Sequence, residues 1–186
     1  FIDMLTRSKL PGTWTIKNVE GKPTVVDRNG TVWGEISKGI IKAKIGGTGN
    51  GWNHLLNVDP PLMKNFRYEV DGGKFVFETD QFGRVSKAIM DPVEINKNIK
   101  RSEEFQARAK EIKDGSTVNV DDGGHIVKNE WGGPSEQTNY FSQNANENRT
   151  GAWYNMEKEI SKMLKSETPP NVKIEMEFNF TGGSKR

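Results

Sequence analysis

At 186 residues the chain is long enough to bury a core of its own, and its 27 basic against 25 acidic side chains leave a net charge of only +2. No global field advertises a polyanion partner, so any nucleic-acid site must be local. The absence of cysteine excludes disulfides, a thiol nucleophile and thiolate metal ligands.

Hydrophobic residues at 33% make a polar chain, but 5 Trp and 9 Phe supply apolar anchors, so it is expected to fold as one domain over 1–186. No run of about 18 apolar residues is present to span a membrane. No charged-then-apolar leader opens the chain, and its start at Phe1 reads as a cut inside a longer polypeptide.

Residues 1–60 read as a β-rich amino-terminal part. Trp14, Ile16 and Val19 precede a turn at Glu20-Gly21-Lys22-Pro23, and Val25-Val26 precede Asp27-Arg28-Asn29-Gly30 before Thr31-Val32-Trp33. Asn-Gly between β-branched runs is a hairpin signal, so a small antiparallel meander is predicted. The glycine-rich stretch between Ile45 and Asn57 lacks the Lys-Ser/Thr of a phosphate-cradling loop and reads as surface. His54 within it has no second imidazole or carboxylate at i+4, so it reads as a packed or solvent histidine.

Over 61–114 a hairpin and a helix are expected. Phe66, Tyr68 and Val70 alternate into Asp71-Gly72-Gly73, then Phe75 and Phe77 follow, with a third strand from Val85 after the Gly83 turn. Arg84 sits just past that turn, at a strand end. From Asn96 to Ile112 a thin stripe of Ile99, Phe105, Ala109 and Ile112 predicts a helix on the surface, with five basic residues that can face a phosphate backbone.

Residues 115–165 hold the chemistry. Val118 and Val120 lead as a strand into Asp121-Asp122-Gly123-Gly124-His125, and Gly132-Gly133-Pro134 breaks the chain. A helix is predicted from about Asn148 to about Lys165, on the helical spacing of Trp153, Met156, Ile160, Met163 and Leu164. Over 166–186, Pro169-Pro170 ends it and VKIEMEFNF alternates as a closing strand.

Hydrolysis of a phosphodiester needs a deprotonated water, charge neutralisation at the phosphorus oxygens and help for the departing oxygen. His125 can be the base, because an unperturbed imidazole titrates near ~6.5. Asp121 or Asp122 can hold the ring through its other nitrogen. Magnesium prefers oxygen ligands and keeps much of its water, so one amide oxygen can place it. Asn139, Gln143, Asn144, Asn146 and Asn148 offer such oxygens, although an amide-rich stretch also suits turns and solvation.

The order Asp122-Gly123-Gly124-His125, then Asn139, Gln143 and Asn148, then Gly151, Trp153 and Glu157 resembles the DNA/RNA non-specific endonucleases, the ββα-metal nuclease family. The variant with DGGH, a GGP turn and Asn-Arg-x-Gly-x-Trp is similar to the carboxy-terminal toxin domains of LXG-type and related type VII-secreted bacterial effectors. The resemblance implies an α+β fold, an antiparallel sheet bearing His125, and a packed helix bearing both Asn148 and Glu157. It implies His125 as general base, Asn148 as the protein ligand to Mg2+ (or Mn2+), and Glu157 as a carboxylate orienting water. Asn139 would be an amide near the scissile phosphate, Arg84 a phosphate contact, and Trp153 packing. Many members carry arginine where this chain has Gly123, so a charge-stabilising arginine must come from Arg84, Arg101 or Arg149. One extra residue, Arg149 or Thr150, separates Asn148 from Gly151 and leaves open whether Asn146 also faces the metal.

The implied function is magnesium-dependent, largely sequence-independent endonuclease cleavage of DNA or RNA by a secreted bacterial toxin acting in the cytoplasm of the target cell. Its implied partners are the nucleic acid and a cognate immunity protein. Two alternatives are a secreted nutritional nuclease and a catalytically inactive nucleic-acid- or partner-binding module. The joint presence of His125, Asn148 and Glu157 weighs against the latter.

Overall fold

A computed structural model describes residues 12–45, 53–57, 62–95, 101–111 and 121–180. These form two compact units, one of residues 12–89 with 175–180 and one of residues 90–174. The glycine-rich residues 46–52, the expected helix start at 96–100 and the expected strand at Val118 and Val120 lie outside the described residues.

The first unit is built on an eight-stranded sheet in the order β1-β2-β3-β4-β5-β6-β7-β10. These strands are β1 (Thr15–Val19), β2 (Lys22–Val26), β3 (Val32–Ser37), β4 (Ile40–Ala43), β5 (Arg67–Val70), β6 (Phe75–Thr79), β7 (Val85–Met90) and β10 (Ile174–Glu177). The expected meander is present. Glu20 and Gly21 both take positive φ, 51° and 76°, to turn β1 into β2. At the Asn29-Gly30 turn the Asp27 carboxylate accepts the backbone N–H groups of Asn29 (2.8 Å) and Thr31 (2.9 Å), local bonds that fix the turn.

The meander extends one strand further than expected, because Lys38-Gly39 turns β3 into β4. β4 then pairs with β5 in parallel, the one parallel pair whose register is recorded. The crossover is pinned by Asn53, whose Nδ2 donates to the carbonyls of Trp33 (2.9 Å) and Lys44 (2.8 Å) while its Oδ1 accepts the Leu55 N–H (3.0 Å). Ile41, Tyr68, Val70, Phe75, Phe77, Leu55 and Leu56 are fully buried around this crossover. Truncating one of the aromatics to alanine costs about 3–5 kcal/mol in a core of this kind. β10 is shorter than its alternating sequence suggested, with Ile174 buried and Phe180 exposed.

The second unit carries α1 (Glu103–Glu111), β8 (Asp121–His125), β9 (Tyr140–Asn144), α2 (Ala145–Arg149) and α3 (Ala152–Leu164). β8 and β9 form their own antiparallel ribbon, with Asp122 opposite Gln143 and His125 opposite Tyr140. The antiparallel sheet that bears His125 is therefore this short ribbon and not the long sheet. Nor does α1 lie loosely on the surface: Phe105 and Ala109 are buried, and the helix packs on the ribbon. Gly123 allows this approach, since a Cβ there would sit 2.0 Å from the Gln106 carbonyl oxygen.

The single helix expected from Asn148 to Lys165 is two. Thr150 and Gly151 both return their N–H groups to the Asn146 carbonyl (2.9 and 2.7 Å), which ends α2. A Cβ on Gly151 would lie 2.6 Å from Glu147 Cα, so glycine is required at this corner. Asn144 caps α2 by accepting the Asn146 N–H at 2.9 Å, and Glu147 accepts the Ala152 N–H at 2.9 Å to start α3.

Candidate active site

The ribbon and the chain that follows it supply the site. His125 closes β8 and is 8% exposed, its ring beside that of Tyr140 with centroids 4.5 Å apart. Tyr140 is itself held, because its hydroxyl accepts the N–H of Ser102 (3.3 Å), whose own hydroxyl accepts the Phe105 N–H at 3.2 Å in the first turn of α1. Burial, and secondarily the Arg101 charge, push the His125 pKa down to about 4, so the imidazole is neutral at cellular pH. Its Nε2 is buried with no hydrogen-bond partner among the described residues. A neutral ring with a free nitrogen is the state a general base needs.

Asp122 does not hold this ring. Asp122 spends both oxygens elsewhere: Oδ2 accepts from Asn148 Nδ2 (3.0 Å) and Arg149 Nε (2.8 Å), and Oδ1 accepts from Arg149 Nη2 (2.7 Å). The Arg149 bonds first, and the Asn148 bond after them, hold its carboxyl below the ordinary range. Asp121 accepts the Ser142 hydroxyl at 3.1 Å. Asp122 and Arg149 thus belong to one bidentate pair at the start of β8.

Glu157 is half-buried on α3, and burial raises its pKa against the opposing charges of Lys128 and Arg101 and the bond from Trp153. Trp153, one turn earlier, donates from Nε1 to Glu157 Oε1 at 3.2 Å while its ring packs against Phe141 of β9 at 5.7 Å. The packing residue therefore also orients the carboxylate. Asn148 and Glu157 sit on different helices, α2 and α3, because of the Gly151 corner.

The amides sort by partner. Asn139 is fully buried, with Nδ2 donating to the carbonyls of Val127 and Pro134 (both 2.9 Å) and Oδ1 accepting the Val127 N–H (2.8 Å). Its amide is spent on closing the loop from Ile126 to Thr138, which leaves a phosphate contact without a donor. Asn144 is spent on the α2 cap. Asn148 differs, since its Nδ2 is engaged and its Oδ1 has no recorded partner among the described residues.

Arg84 lies in the other unit, 7% exposed, with Nε bonded to Asp80 at 2.7 Å and its guanidinium 4.0 Å from the Phe180 ring centroid. It is thereby employed in holding the Asp80–Arg84 turn. Arg101 is exposed, has no recorded carboxylate partner among the described residues, and its charge acts on His125, Tyr140 and Glu157.

Behind the site, α3 is bolted to the Lys128–Trp131 loop through Ser161. Its hydroxyl accepts from Trp131 Nε1 (3.0 Å) and Lys128 Nζ (3.1 Å) and donates to Glu130 Oε2 (3.1 Å). Lys165 also pairs with Glu130. Sequence reasoning missed this hub, and an isolated Ser between Ile160 and Lys162 gives no signal for it.

The donor set fits a hard divalent ion that keeps most of its water. Asn148 presents a neutral oxygen without the charge that would repel phosphate, and Glu157 can act on the hydration layer. Among the described residues no group of three or more His, Cys, Asp or Glu side chains gathers as a thiolate- or imidazole-rich site would require.

The sequence matches the description "DNA/RNA non-specific endonuclease" over residues 64–186. It is also 30% identical over 139 residues to the type VII secretion system protein EssD of Staphylococcus aureus strains USA300 and NCTC 8325, a match that covers 72% of this chain and 22% of each relative. The EssD of strain Newman matches at the same identity, with 21% of its length covered. The chain thus spans about a fifth of the curated relatives it resembles. The chain belongs to the DNA/RNA non-specific endonuclease family.

Proposed function

We propose that this chain is the nuclease domain of a secreted bacterial toxin, hydrolysing phosphodiesters of DNA, or of RNA as the alternative, with Mg2+, or Mn2+ in its place, under the control of an immunity protein. The observation that carries the hydrolytic reading is the state of His125, a neutral imidazole with a buried nitrogen that no donor among the described residues occupies. The likeness to type VII secretion system proteins supports the effector setting; the cytoplasm of a target cell as the place of action is part of the proposal.

In this reading His125 Nε2 takes a proton from the attacking water. The low pKa keeps the base free, and the arriving phosphate, being anionic, draws that pKa back up as the proton is accepted. Asn148 Oδ1 would hold the divalent ion, which would neutralise charge on the phosphate oxygens when bound. Glu157, steadied by Trp153, would orient water beside it.

Arg101 takes the phosphate-facing role. Arg84 and Arg149 are each held by an aspartate, whereas the charge of Arg101 is felt at His125, Tyr140 and Glu157. Asn139 serves by holding the loop that follows His125.

Plasmid degradation with Mg2+, with and without chelator, tests the reading. Nicking followed by smearing, lost with chelator, is expected. A purified, Mg2+-loaded, partner-free chain that left both DNA and RNA intact would refute it and favour a binding module.

A further inference from the structure

Asp122 has no step of its own in the proposed reaction, yet three donors converge on it from two consecutive residues of α2. An ionised carboxylate only accepts hydrogen bonds. Asn148 must therefore turn its NH2 toward Asp122, and its carbonyl oxygen is forced to the other side. The orientation of this amide is fixed by chemistry rather than by fit alone. Arg149 completes the arrangement by gripping both carboxylate oxygens, although its own side chain is 66% exposed against 17% for Asp122. A planar fork on a carboxylate fixes the carboxylate's rotation as well as its charge.

We infer that Asp122, held by Arg149, is a positioning residue that locks the Asn148 amide with its oxygen outward for a divalent cation. The inference rests on the reading of Asn148 as the cation ligand. Without Asp122 the amide has two orientations of similar energy, one of which aims NH2 hydrogens at the cation. The Asp122–Asn148 bond also polarises the amide, making its oxygen a better donor. Partners of this kind alter metal affinity by about 10–100-fold. The same arrangement explains why Arg149, next to the ligand, is not the phosphate-facing arginine: it is occupied in holding the carboxylate.

The test is a Mg2+ titration followed by 15N NMR, comparing the unaltered chain with Asp122→Ala, Asp122→Asn and Asn148→Ala. Thermal unfolding of each reports folding. Asparagine at 122 keeps one oxygen at the place of Oδ2, so it conserves the acceptor for Asn148 while weakening the Arg149 pair. The expected result is a Kd for Mg2+ raised about 10-fold or more by Asp122→Ala and only a few-fold by Asp122→Asn. In the cation-free protein, the Asn148 side-chain NH2 resonances should move in the alanine variant and stay near their original positions in the asparagine variant. Folded Asp122→Ala binding Mg2+ within twofold of the unaltered chain would overturn the inference. So would equal losses in the two Asp122 variants. Unchanged Mg2+ affinity in Asn148→Ala would instead remove the ligand reading on which it rests, as would an unaltered chain that binds no Mg2+.

Discussion

Burying His125 has a stability cost that depends on pH in a defined window. The side chain titrates near ~6.5 when unfolded and at about 4 in the folded chain, chiefly because burial penalises the charged ring. Since the folded pKa is depressed, the unfolded state binds the proton first as pH falls. Stability is intact above ~6.5 and is lost progressively down to about 4, where both states are protonated. The gap of about 2.5 units, at ~1.4 kcal/mol per unit, corresponds to roughly 3 kcal/mol. Thermal unfolding across pH 7 to 4 should show the loss. For a chain of this size each kcal/mol moves Tm by about 2–4 °C, so His125 alone should account for a fall of about 6–12 °C. His125→Asn removes the titration, and its Tm should fall less by that amount over the same window. Parallel curves for the two proteins would refute the argument that His125 is buried in its neutral form.

Other consequences follow from particular contacts. Ser161→Ala leaves the buried Trp131 N–H without its acceptor and unties Lys128 and Glu130; a loss of about 2–4 kcal/mol is expected in denaturant unfolding. Gly123→Ala drives a Cβ into the Gln106 carbonyl and should destabilise the second unit by about 1–3 kcal/mol, measurable the same way. Arg101→Gln should raise KM for duplex DNA and lower the slope of log KM against log salt by ~1, as loss of one phosphate contact requires. An unchanged slope would return the phosphate role to another cation.

The parts of the fold that could be read from the sequence are those fixed by local turn chemistry. Gly30 and Asp71-Gly72-Gly73 take positive φ at the expected turns, and β3 and β5 alternate, whereas β2 and β6 bury consecutive residues. β9 was hidden because Tyr140-Phe141-Ser142-Gln143-Asn144 is polar enough to read as an amide-rich loop. It becomes a strand only through pairing with β8. The α2–α3 corner was hidden for a related reason: the apolar spacing begins only at Trp153, after the corner, and the interruption depends on the close approach of Gly151 to Glu147.

The site was legible to the same depth. His125 and the amide cluster stand out by residue type, whereas singling out Asn148 and Glu157 depended on the resemblance to the DNA/RNA non-specific endonucleases. What each amide or aspartate does with its hydrogen bonds is decided by tertiary neighbours. Asn139 turned inward to three backbone partners, Arg84 turned to Asp80, and Asp122 turned to α2 rather than to the imidazole.

The central claim is that His125 is the general base of a metal-dependent nuclease, and plasmid cleavage in Mg2+ by the unaltered chain against His125→Ala tests it most directly. The account predicts nicking and then smearing, abolished by chelator, and a rate at least ~100-fold lower in a folded His125→Ala protein, as loss of a general base entails. Cleavage by His125→Ala at the rate of the unaltered chain would contradict it.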